Sequence, residues 1–517
     1  MIRRMLLPLL LLVPGAASAD WYEASTGHFT VYSELDPERL KDFAGKLERF
    51  DGAMRLMRKV PDEPLSPANR LTIYMVDDRD DVARLISDRF VAGFYVPRAG
   101  GSLAIVPRRS GSGNAYDLNP QAILLHEYAH HLMSSFSPNT VYPSWYSEGF
   151  AEALATVVFD KDGSIVFGNP PQHRAYGLMS GNWLPMDKLV IADTLKLNDE
   201  QREGLYGRGW LMSHYLLFSG KRAQQLTSYL KALNDGKSSL EAAAAFGDLK
   251  QFDRELEKYK IGKFQGFRIL PGKVPIGPVS IRKLSAGEAA TMDVRIRSKV
   301  GVDEKTAPPT YARAKKAAAA YPNDRGAQIV LAEAAYDAKD YAASEAAADR
   351  AIAADVKAVD GYVYKAMSQM ALADKAGDKT AKTWSGIRKI IVAGNKVDPD
   401  DPEPLILYFR SFVDADAPPS PTAKRGLERA FELAPQDNGL RLSVASMLLR
   451  DGDKARAREM LAPLAYQPHG QGYAAVATTL IGMIDKGEVD EALRTLDGKE
   501  RSGDSDKGES EDKPSGK

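Results

Sequence analysis

The C-terminal third of this chain repeats itself, and the repeat restricts the folds that the chain can adopt. The sequence is rich in alanine and helical in pattern from Ala307 to Gly498, and three prolines stand 36 and 33 residues apart: Pro399, Pro435 and Pro468. Each proline follows a helix-like run that ends in small or apolar residues. This period is typical of stacked helical hairpins, because one hairpin cannot bury its own apolar face. Residues 306–498 are therefore predicted to form an α-helical repeat domain.

The repeat also resembles a known family. Its period is close to the 34 residues of the tetratricopeptide repeat. Leu331, Tyr341 and Ala351 stand where that family places apolar and small packing residues. The resemblance implies a concave surface that would bind a protein partner or present a substrate.

The N-terminus, residues 1–19, is typical of a secretory signal peptide. Arg3 and Arg4 precede the apolar run Met5–Val13, and the small residues Ala17-Ser18-Ala19 suit cleavage. The alternative is an uncleaved membrane anchor, but the run is shorter than the ~20 residues that span a bilayer. We therefore expect a mature chain from about Asp20, exported and without an integral membrane segment.

Charge and cysteine content exclude several classes of protein. Lys and Arg together number 69, as do Asp and Glu, so the formal net charge is zero. This balance gives no electrostatic reason to expect nucleic acid as a partner. The chain has no cysteine, so disulfides, a lipidated cysteine and thiolate metal ligands are excluded. An exported protein without disulfides fits a bacterial periplasm, or secretion by a bacterium, better than a eukaryotic secretory route.

The region between the signal and the repeats predicts an α+β fold. Residues 20–115 mix strands with an amphipathic helix, at His28–Tyr32, Asp36–Met57, Leu71–Val76 and Leu103–Val106. Residues 116–263 are mainly helical in pattern and hold the motifs described below. Residues 264–305 alternate β-forming residues with prolines and predict a small β-module or linker. Residues 499–517 are polar and rich in glycine, serine and charge, so they are predicted to be disordered.

Two histidines on one predicted helix have the spacing of metal ligands. In His126-Glu127-Tyr128-Ala129-His130 they stand at i and i+4, so both imidazoles can reach a single Zn²⁺. Glu127 is rotated by about 100° from His126 and can take a proton from a metal-bound water. The alternative is a pair of surface histidines, but burying such groups without a task is costly. The neighbours predict a buried helix: Ile123, Leu124, Leu125, Leu132 and Met133.

A second motif supplies a third ligand. The segment Trp145-Tyr146-Ser147-Glu148-Gly149-Phe150-Ala151-Glu152 resembles the Trp-x-x-Glu-Gly-Phe-Ala segment of the gluzincin metallopeptidases. The resemblance implies that Glu148 binds zinc beside His126 and His130. Residues 131–147, seventeen of them, separate Glu148 from His130, one fewer than in the aminopeptidase branch.

Glu152 stands one helical turn after Glu148. In thermolysin-like gluzincins an acidic residue at this offset accepts a hydrogen bond from a ligating histidine. The resemblance implies that Glu152 orients His126 in this way. Two alternatives are open: a solvated carboxylate, or an exchange of roles in which Glu152 holds the metal.

A third segment, Tyr206-Gly207-Arg208-Gly209, is similar to the Tyr-x-Lys-Gly segment of aminopeptidase-type gluzincins. The tyrosine of that family hydrogen-bonds the oxyanion of the tetrahedral intermediate, so the resemblance gives this role to Tyr206, with Arg208 replacing the lysine. The alternative is a packing role, as for most of the 22 tyrosines. Of the other histidines, His131 is expected to be structural, and His214 is a candidate for lining the cleft or donating to the oxyanion.

Together these segments predict a zinc metallopeptidase that acts on a peptide or protein substrate. Zn²⁺ would polarise the scissile carbonyl and activate its water, Glu127 would move the proton, and Tyr206 would stabilise the oxyanion. The Gly-x-Met-Glu-Asn segment by which the aminopeptidase branch holds a free amino terminus is absent, which favours an endopeptidase. Ser102–Val106 is the expected sheet edge for the substrate backbone. The alternative function is a non-catalytic periplasmic scaffold with a vestigial peptidase fold.

Overall fold

A six-stranded mixed sheet lies at the centre of the N-terminal part of the chain. The computed structural model describes residues 20–86, 93–109, 120–179, 184–466 and 471–502. Its strands are β1 (Tyr22–Ser25), β2 (Phe29–Ser33), β3 (Leu71–Val76), β4 (Phe94–Val96), β5 (Leu103–Pro107), β6 (Val158–Phe159), β7 (Ile165–Phe167), β8 (Phe267–Ile269) and β9 (Ser280–Lys283). The sheet has the order β4-β5-β3-β2-β1-β9, in which only the neighbours β2–β3 and β3–β5 are parallel. Strands β6, β7 and β8 form a second, antiparallel sheet.

Helices make up most of the rest of the described chain. Up to residue 260 they are α1 (Pro37–Arg58), α2 (Arg79–Ile86), α3 (Pro120–Phe136), α4 (Ser144–Ala155), α5 (Ala175–Met179), α6 (Met186–Leu189), α7 (Asp199–Phe218), α8 (Ala223–Asn234), α9 (Ser239–Ala243) and α10 (Leu249–Lys260). Beyond it they are α11 (Ala286–Val300), α12 (Ala307–Ala318), α13 (Arg325–Asp337), α14 (Tyr341–Ala354), α15 (Val359–Lys375), α16 (Ala381–Val397), α17 (Pro402–Val413), α18 (Pro421–Leu433), α19 (Asn438–Arg450), α20 (Lys454–Ala465), α21 (Gln471–Lys486) and α22 (Val489–Ser502). The predicted class of mixed α and β structure is confirmed.

Helices cover both faces of the large sheet. On one face, α1 and α3 bury Phe50 and Leu125 against the sheet residue Ile73. On the other face, α2 and α11 bury Val82 and Met292 in the cluster that contains Ile105. Strands buried on both faces read as continuous apolar runs, which is why β3 and β5 are recognisable from the sequence. Helix α3 is therefore held against a rigid support.

Residues 264–305 do not form the separate β-module that the sequence predicts. Strand β8 pairs with β7, and β9 pairs with β1 in the register Tyr22↔Lys283. Helix α11, which begins within the same stretch, covers the large sheet. The prediction is wrong because pairing between distant segments leaves no local pattern. These residues complete both sheets of the N-terminal part.

The limits of the described residues can be compared with the predicted signal peptide and the predicted disordered tail. The predicted signal peptide, residues 1–19, and residues 503–517 lie outside the described residues. Helix α22 continues to Ser502, so the predicted disordered tail, residues 499–517, begins with four helical residues. Within the described ranges, we find no helix with the length and apolarity that a membrane crossing requires.

The C-terminal helices form a two-layered array. Helices α13, α15, α17, α19 and α21 begin at residues 325, 359, 402, 438 and 471, which gives spacings of 34, 43, 36 and 33 residues. Consecutive helices pack together, and α11, α13, α15 and α17 also contact one another in series. This arrangement is a helical repeat with one longer hairpin, formed by α15 and α16.

Carboxylates crowd where α13, α15 and α17 meet. Glu333 is buried on α13, and its Oε1 lies 3.1 Å from Lys299 Nζ of α11. Burial and the charge of Glu333 raise the pKa of Asp337 to about 7, although Lys299 opposes the shift. Burial likewise raises the pKa of Glu403 on α17, where Asp360 adds to the effect and Lys299 opposes it. This part of the array therefore holds more negative charge than its cations neutralise.

Asp337→Asn is expected to stabilise the chain at pH 8 and to have little effect near pH 4. The pKa of Asp337 is about 7 in the folded chain, against an ordinary value of about 3.9. Between these values the unfolded chain releases the proton that the folded chain keeps, so stability falls as pH rises and the loss is complete above pH 7. Asparagine removes this loss, so the free energy of unfolding at pH 8 should rise by about 1 kcal/mol in urea titrations.

The matched control is Asp349→Asn, which changes a half-exposed carboxylate that is paired with Lys365 on the surface. Its effect on unfolding should be small at both pH values. An Asp337→Asn effect that is equal at pH 4 and pH 8 would contradict the prediction.

Candidate active site

Helix α3 presents the two predicted histidine ligands from a buried support. Its apolar residues Leu124 and Leu125 are almost fully buried, which fixes the rotation of the helix. His126 and His130 lie on the opposite side, with 12% and 18% of their side chains exposed. Their Nε2 atoms are 3.3 Å apart. The i, i+4 spacing therefore brings both nitrogens to one point, as the sequence predicts.

Helix α4 brings Glu148 to the same point. Its carboxylate is fully buried, with Oε2 at 3.4 Å from His126 Nε2 and Oε1 at 3.7 Å from His130 Nε2. Four ligands placed tetrahedrally around a zinc ion, each about 2.1 Å from it, are about 3.4 Å apart. The three separations match that value, and nitrogen and carboxylate oxygen are ordinary zinc donors. The donor set therefore fits a zinc ion.

Charge at this point also favours a cation. Burial alone would lower the pKa of His126, but hydrogen bonding to Glu148 and the charges of Glu152 and Glu148 raise it. Such an excess of carboxylate around an imidazole stabilises positive charge, whether a proton or a metal ion supplies it.

Two glycines allow α4 to approach α7. A Cβ atom on Gly149 would collide with the carbonyl oxygen of Gly209, and one on Gly209 would lie 2.6 Å from the carbonyl oxygen of Trp145. Only residues without a side chain fit such a crossing. The glycine that follows Glu148 thus lets α7 bring Tyr206 close to the histidines.

Tyr206 lies beside the histidine pair. The centroid of its ring is 6.3 Å from that of His126. Arg174 places its guanidinium 4.3 Å from the centre of the same ring. Arg208 is different: it is buried and pairs with Asp253 and Glu257 of α10, so it braces the helix. The tyrosine of the third segment is therefore at the site and the arginine is not.

Glu127 is partly exposed next to the histidines and is not among the three clustered donors. Its charge raises the pKa of His126, and it also contributes to the raised pKa of Tyr95, which burial mainly causes. Tyr95 belongs to β4. Glu127 is therefore close enough to both His126 and Tyr95 for its charge to act on them.

Both carboxylate oxygens of Glu152 have partners, and one of them faces Nδ1 of His126. Its Oε1 is 3.5 Å from His126 Nδ1 and accepts a hydrogen bond from Arg174 Nε at 2.8 Å, and its Oε2 is 2.8 Å from His173 Nε2. Burial would raise the pKa of Glu152, but the charge of Arg174 and the hydrogen bond from His173 lower it to about 2. Because Glu152 faces Nδ1, its position suits the orienting role and not the exchange of roles with Glu148.

His173 and Arg174 are missing from the site that the sequence predicts. Both lie in the short 3₁₀ helix Gln172–Arg174, which has no metal-ligand spacing to any motif. Arg174 touches Glu152 and Tyr206 and lies 3.4 Å from Glu203. The only sequence signal is an adjacent His-Arg pair between the second and third motifs, and such a pair is ordinary on a surface.

If this donor set binds zinc and the site cleaves peptides, replacing Arg174 with alanine is expected to lower kcat/KM about 10- to 100-fold without loss of zinc. The side chain holds the ring of Tyr206 and neutralises Glu152, so its loss loosens both groups without removing a ligand. Steady-state kinetics and elemental analysis on the same sample measure the two effects. Arg268→Ala is the matched control, because Arg268 of β8 pairs with Asp160 and Asp162 in the turn between β6 and β7. Wild-type kinetics for Arg174→Ala would contradict the prediction.

The other two histidines near the motifs are structural. His131 is buried, its Nδ1 lies 2.8 Å from the Tyr95 hydroxyl, and burial lowers its pKa to about 4. His214 is buried with Nδ1 at 2.9 Å from the Tyr259 hydroxyl and Nε2 at 3.1 Å from the Gly168 carbonyl. His214 therefore packs in the core, which differs from the cleft-lining or oxyanion-donating role that the sequence suggests.

The predicted substrate-binding edge is wrong. β5, which corresponds to Ser102–Val106, pairs with β3 on one side and with β4 on the other. Among the strands that the structure describes, the sheet ends on this side at β4 (Phe94–Val96), which pairs antiparallel with β5. A three-residue strand has too little alternation to be recognised in the sequence.

No family model, no curated protein and no solved structure matches this chain. The chemistry of the site therefore rests on its own residues and geometry.

Proposed function

We propose that this chain is a zinc-dependent peptidase that hydrolyses internal peptide bonds, exported to the periplasm or secreted by a bacterium. The observation that carries the proposal is the cluster of His126 Nε2, His130 Nε2 and the Glu148 carboxylate, with separations of 3.3, 3.4 and 3.7 Å. These three residues would hold the ion. Zinc bound there would supply Lewis acidity and lower the pKa of a coordinated water.

Glu127 would act as the general base and acid. It follows the first ligand on α3 and is not one of the three clustered donors, so the proton-transfer role does not compete with metal binding. It would accept the proton of the attacking water and later deliver it to the leaving amine. Partial exposure suits this role, because the carboxylate must reach both water and substrate.

Tyr206 would donate a hydrogen bond to the oxyanion. A neutral hydroxyl directed at developing negative charge stabilises the transition state more than the ground state. The guanidinium of Arg174 over its ring and the hydrogen bond from Arg174 to Glu152 restrain the groups on both sides of His126. The helical array would bind a protein partner or present substrates on its concave side.

Peptides with blocked ends are expected to be cleaved, and single aminoacyl chromogenic substrates are not. An extended peptide can add its backbone to the β4 edge. The edge residues Phe94–Val96 carry no carboxylate that could anchor a free amino terminus, and desolvating an ammonium group without a partner is unfavourable. Internally quenched peptides with acetylated and amidated ends provide the measurement.

Two results would contradict the endopeptidase assignment. Rapid release of N-terminal residues, abolished by acetylation, would indicate an aminopeptidase. Stoichiometric zinc with no cleavage of any peptide in a broad library would favour the non-catalytic scaffold.

A further inference from the structure

The β4–β5 turn, residues 97–102, joins the proposed substrate edge to the helical array. β4 precedes the turn and β5 follows it, and the two strands pair antiparallel in the register Phe94↔Ile105. The contacts on this turn come from α17 and from the loop between α18 and α19, more than 300 positions along the chain.

Two hydrogen bonds hold the turn from the array side. The amide of Ala99 donates to Asp437 Oδ2 at 2.7 Å, and Gln436 Nε2 donates to Ser102 Oγ at 3.0 Å. Ala99 is also buried in the same apolar cluster as Leu427 and Phe431 of α18. The turn is therefore anchored by both polar and apolar contacts.

The turn fits closely against α17. A Cβ atom on Gly100 would collide with the carboxylate of Glu403. Gly101 has a positive φ of 94°, which side chains disfavour. Gly100 thus lets the backbone of the turn approach the Glu403 side chain of α17, and Gly101 lets the chain turn.

On the other side, the turn contacts the helix that carries the histidines. Ser102 Oγ, which accepts from Gln436, lies 3.4 Å from the Tyr95 hydroxyl of β4. The Tyr95 hydroxyl lies 2.8 Å from His131 Nδ1, and His131 directly follows His130. An unbroken series of contacts thus runs from the α18–α19 loop through β4 to α3.

We propose that the helical array sets the register of the substrate-binding strand, with Gln436 and Asp437 as positioning residues that control the binding of extended peptides. This inference rests on the proposed peptidase function and the β4 edge, and it names the part of the chain that regulates that site. A partner that moves the α18–α19 loop would change cleavage without touching the zinc ligands.

Loss of these contacts should act on substrate binding more than on the chemical step. A peptide long enough to pair along β4 needs the strand in one place, whereas a short peptide that spans only the scissile bond does not. Gln436→Ala should therefore raise KM for extended peptides about tenfold, with kcat and zinc content unchanged. KM for short peptides should stay at the wild-type value.

The test combines kinetics with hydrogen exchange on the full-length protein. Gln436→Ala and Gly100→Ala are compared with Gln369→Ala, a matched control whose amide bonds only Glu345 within the array. Amide exchange across residues 93–107 should be faster in the first two variants and unchanged in the control.

The outcomes separate the two proposals. A wild-type protein that cleaves no peptide would contradict the proposed function. Faster amide exchange across residues 93–107 in Gln436→Ala and Gly100→Ala would in that case still support the positioning of β4 by the helical array. A wild-type protein that cleaves peptides, with unchanged KM in Gln436→Ala and Gly100→Ala, would overturn the positioning role. Unchanged exchange in both variants would overturn it as well.

Discussion

Replacing Glu127 with glutamine is expected to lower peptide hydrolysis by about a thousandfold or more, while the chain keeps its zinc. The amide has nearly the shape of the carboxylate but cannot accept the proton of the attacking water. Glu127 is not among the three clustered donors, so its substitution removes no zinc ligand and should leave zinc binding unchanged. Turnover of a blocked quenched peptide and zinc content, measured on one preparation, provide the two readouts.

The control for Glu127→Gln is Glu432→Gln. Glu432 is an exposed residue of α18 that pairs with Arg429, and its substitution should leave turnover and zinc content unchanged. A Glu127→Gln protein with near wild-type turnover would show that another group moves the proton. Loss of zinc in that protein would show that Glu127 is a ligand.

Alanine at His130 or Glu148 is expected to abolish zinc binding and, with it, all hydrolysis. Mature protein should carry about one zinc per chain, as a single three-ligand site implies. Loss of one ligand should weaken zinc binding by more than about a hundredfold, because loss of a partner outside the ligand set already costs about 10- to 100-fold. Glu148→Ala has a further effect, since it removes the buried negative charge that the two histidines face.

Glu152→Ala separates the ligand from its neighbour. Glu152 faces the Nδ1 side of His126, so this variant should keep about one zinc at micromolar protein concentration, with weaker affinity. Competition with a chelator of known affinity measures the difference. Full zinc in Glu148→Ala together with an empty Glu152→Ala protein would reverse the two roles.

Local periodicity encodes one part of the site that the sequence reveals, the histidine pair, whereas Glu148 and Tyr206 are indicated by the resemblance of their segments. His126 and His130 need only one helical turn to meet, and the apolar residues before them indicate which side of α3 is buried. Strand β3 has the predicted bounds, Leu71–Val76, because a strand buried on both faces is a continuous apolar run.

The parts that it does not reveal depend on contacts between distant segments. His173 and Arg174 join the site only because Glu152 is buried beside them, and no spacing in the sequence signals that approach. The edge of the sheet is similarly hidden: β5 is interior because the short β4 pairs with it, and residues 264–305 join the two sheets through β8 and β9.

The pairing of β1 with β9 has a consequence for the order in which the chain folds during synthesis. Tyr22 pairs with Lys283, 261 positions later, so the outer side of β1 has no partner until that residue has left the ribosome. Closing so long a loop costs entropy and slows folding. The proposed zinc ligands His126, His130 and Glu148 are all made by then, so these residues exist well before the sheet that supports them is complete.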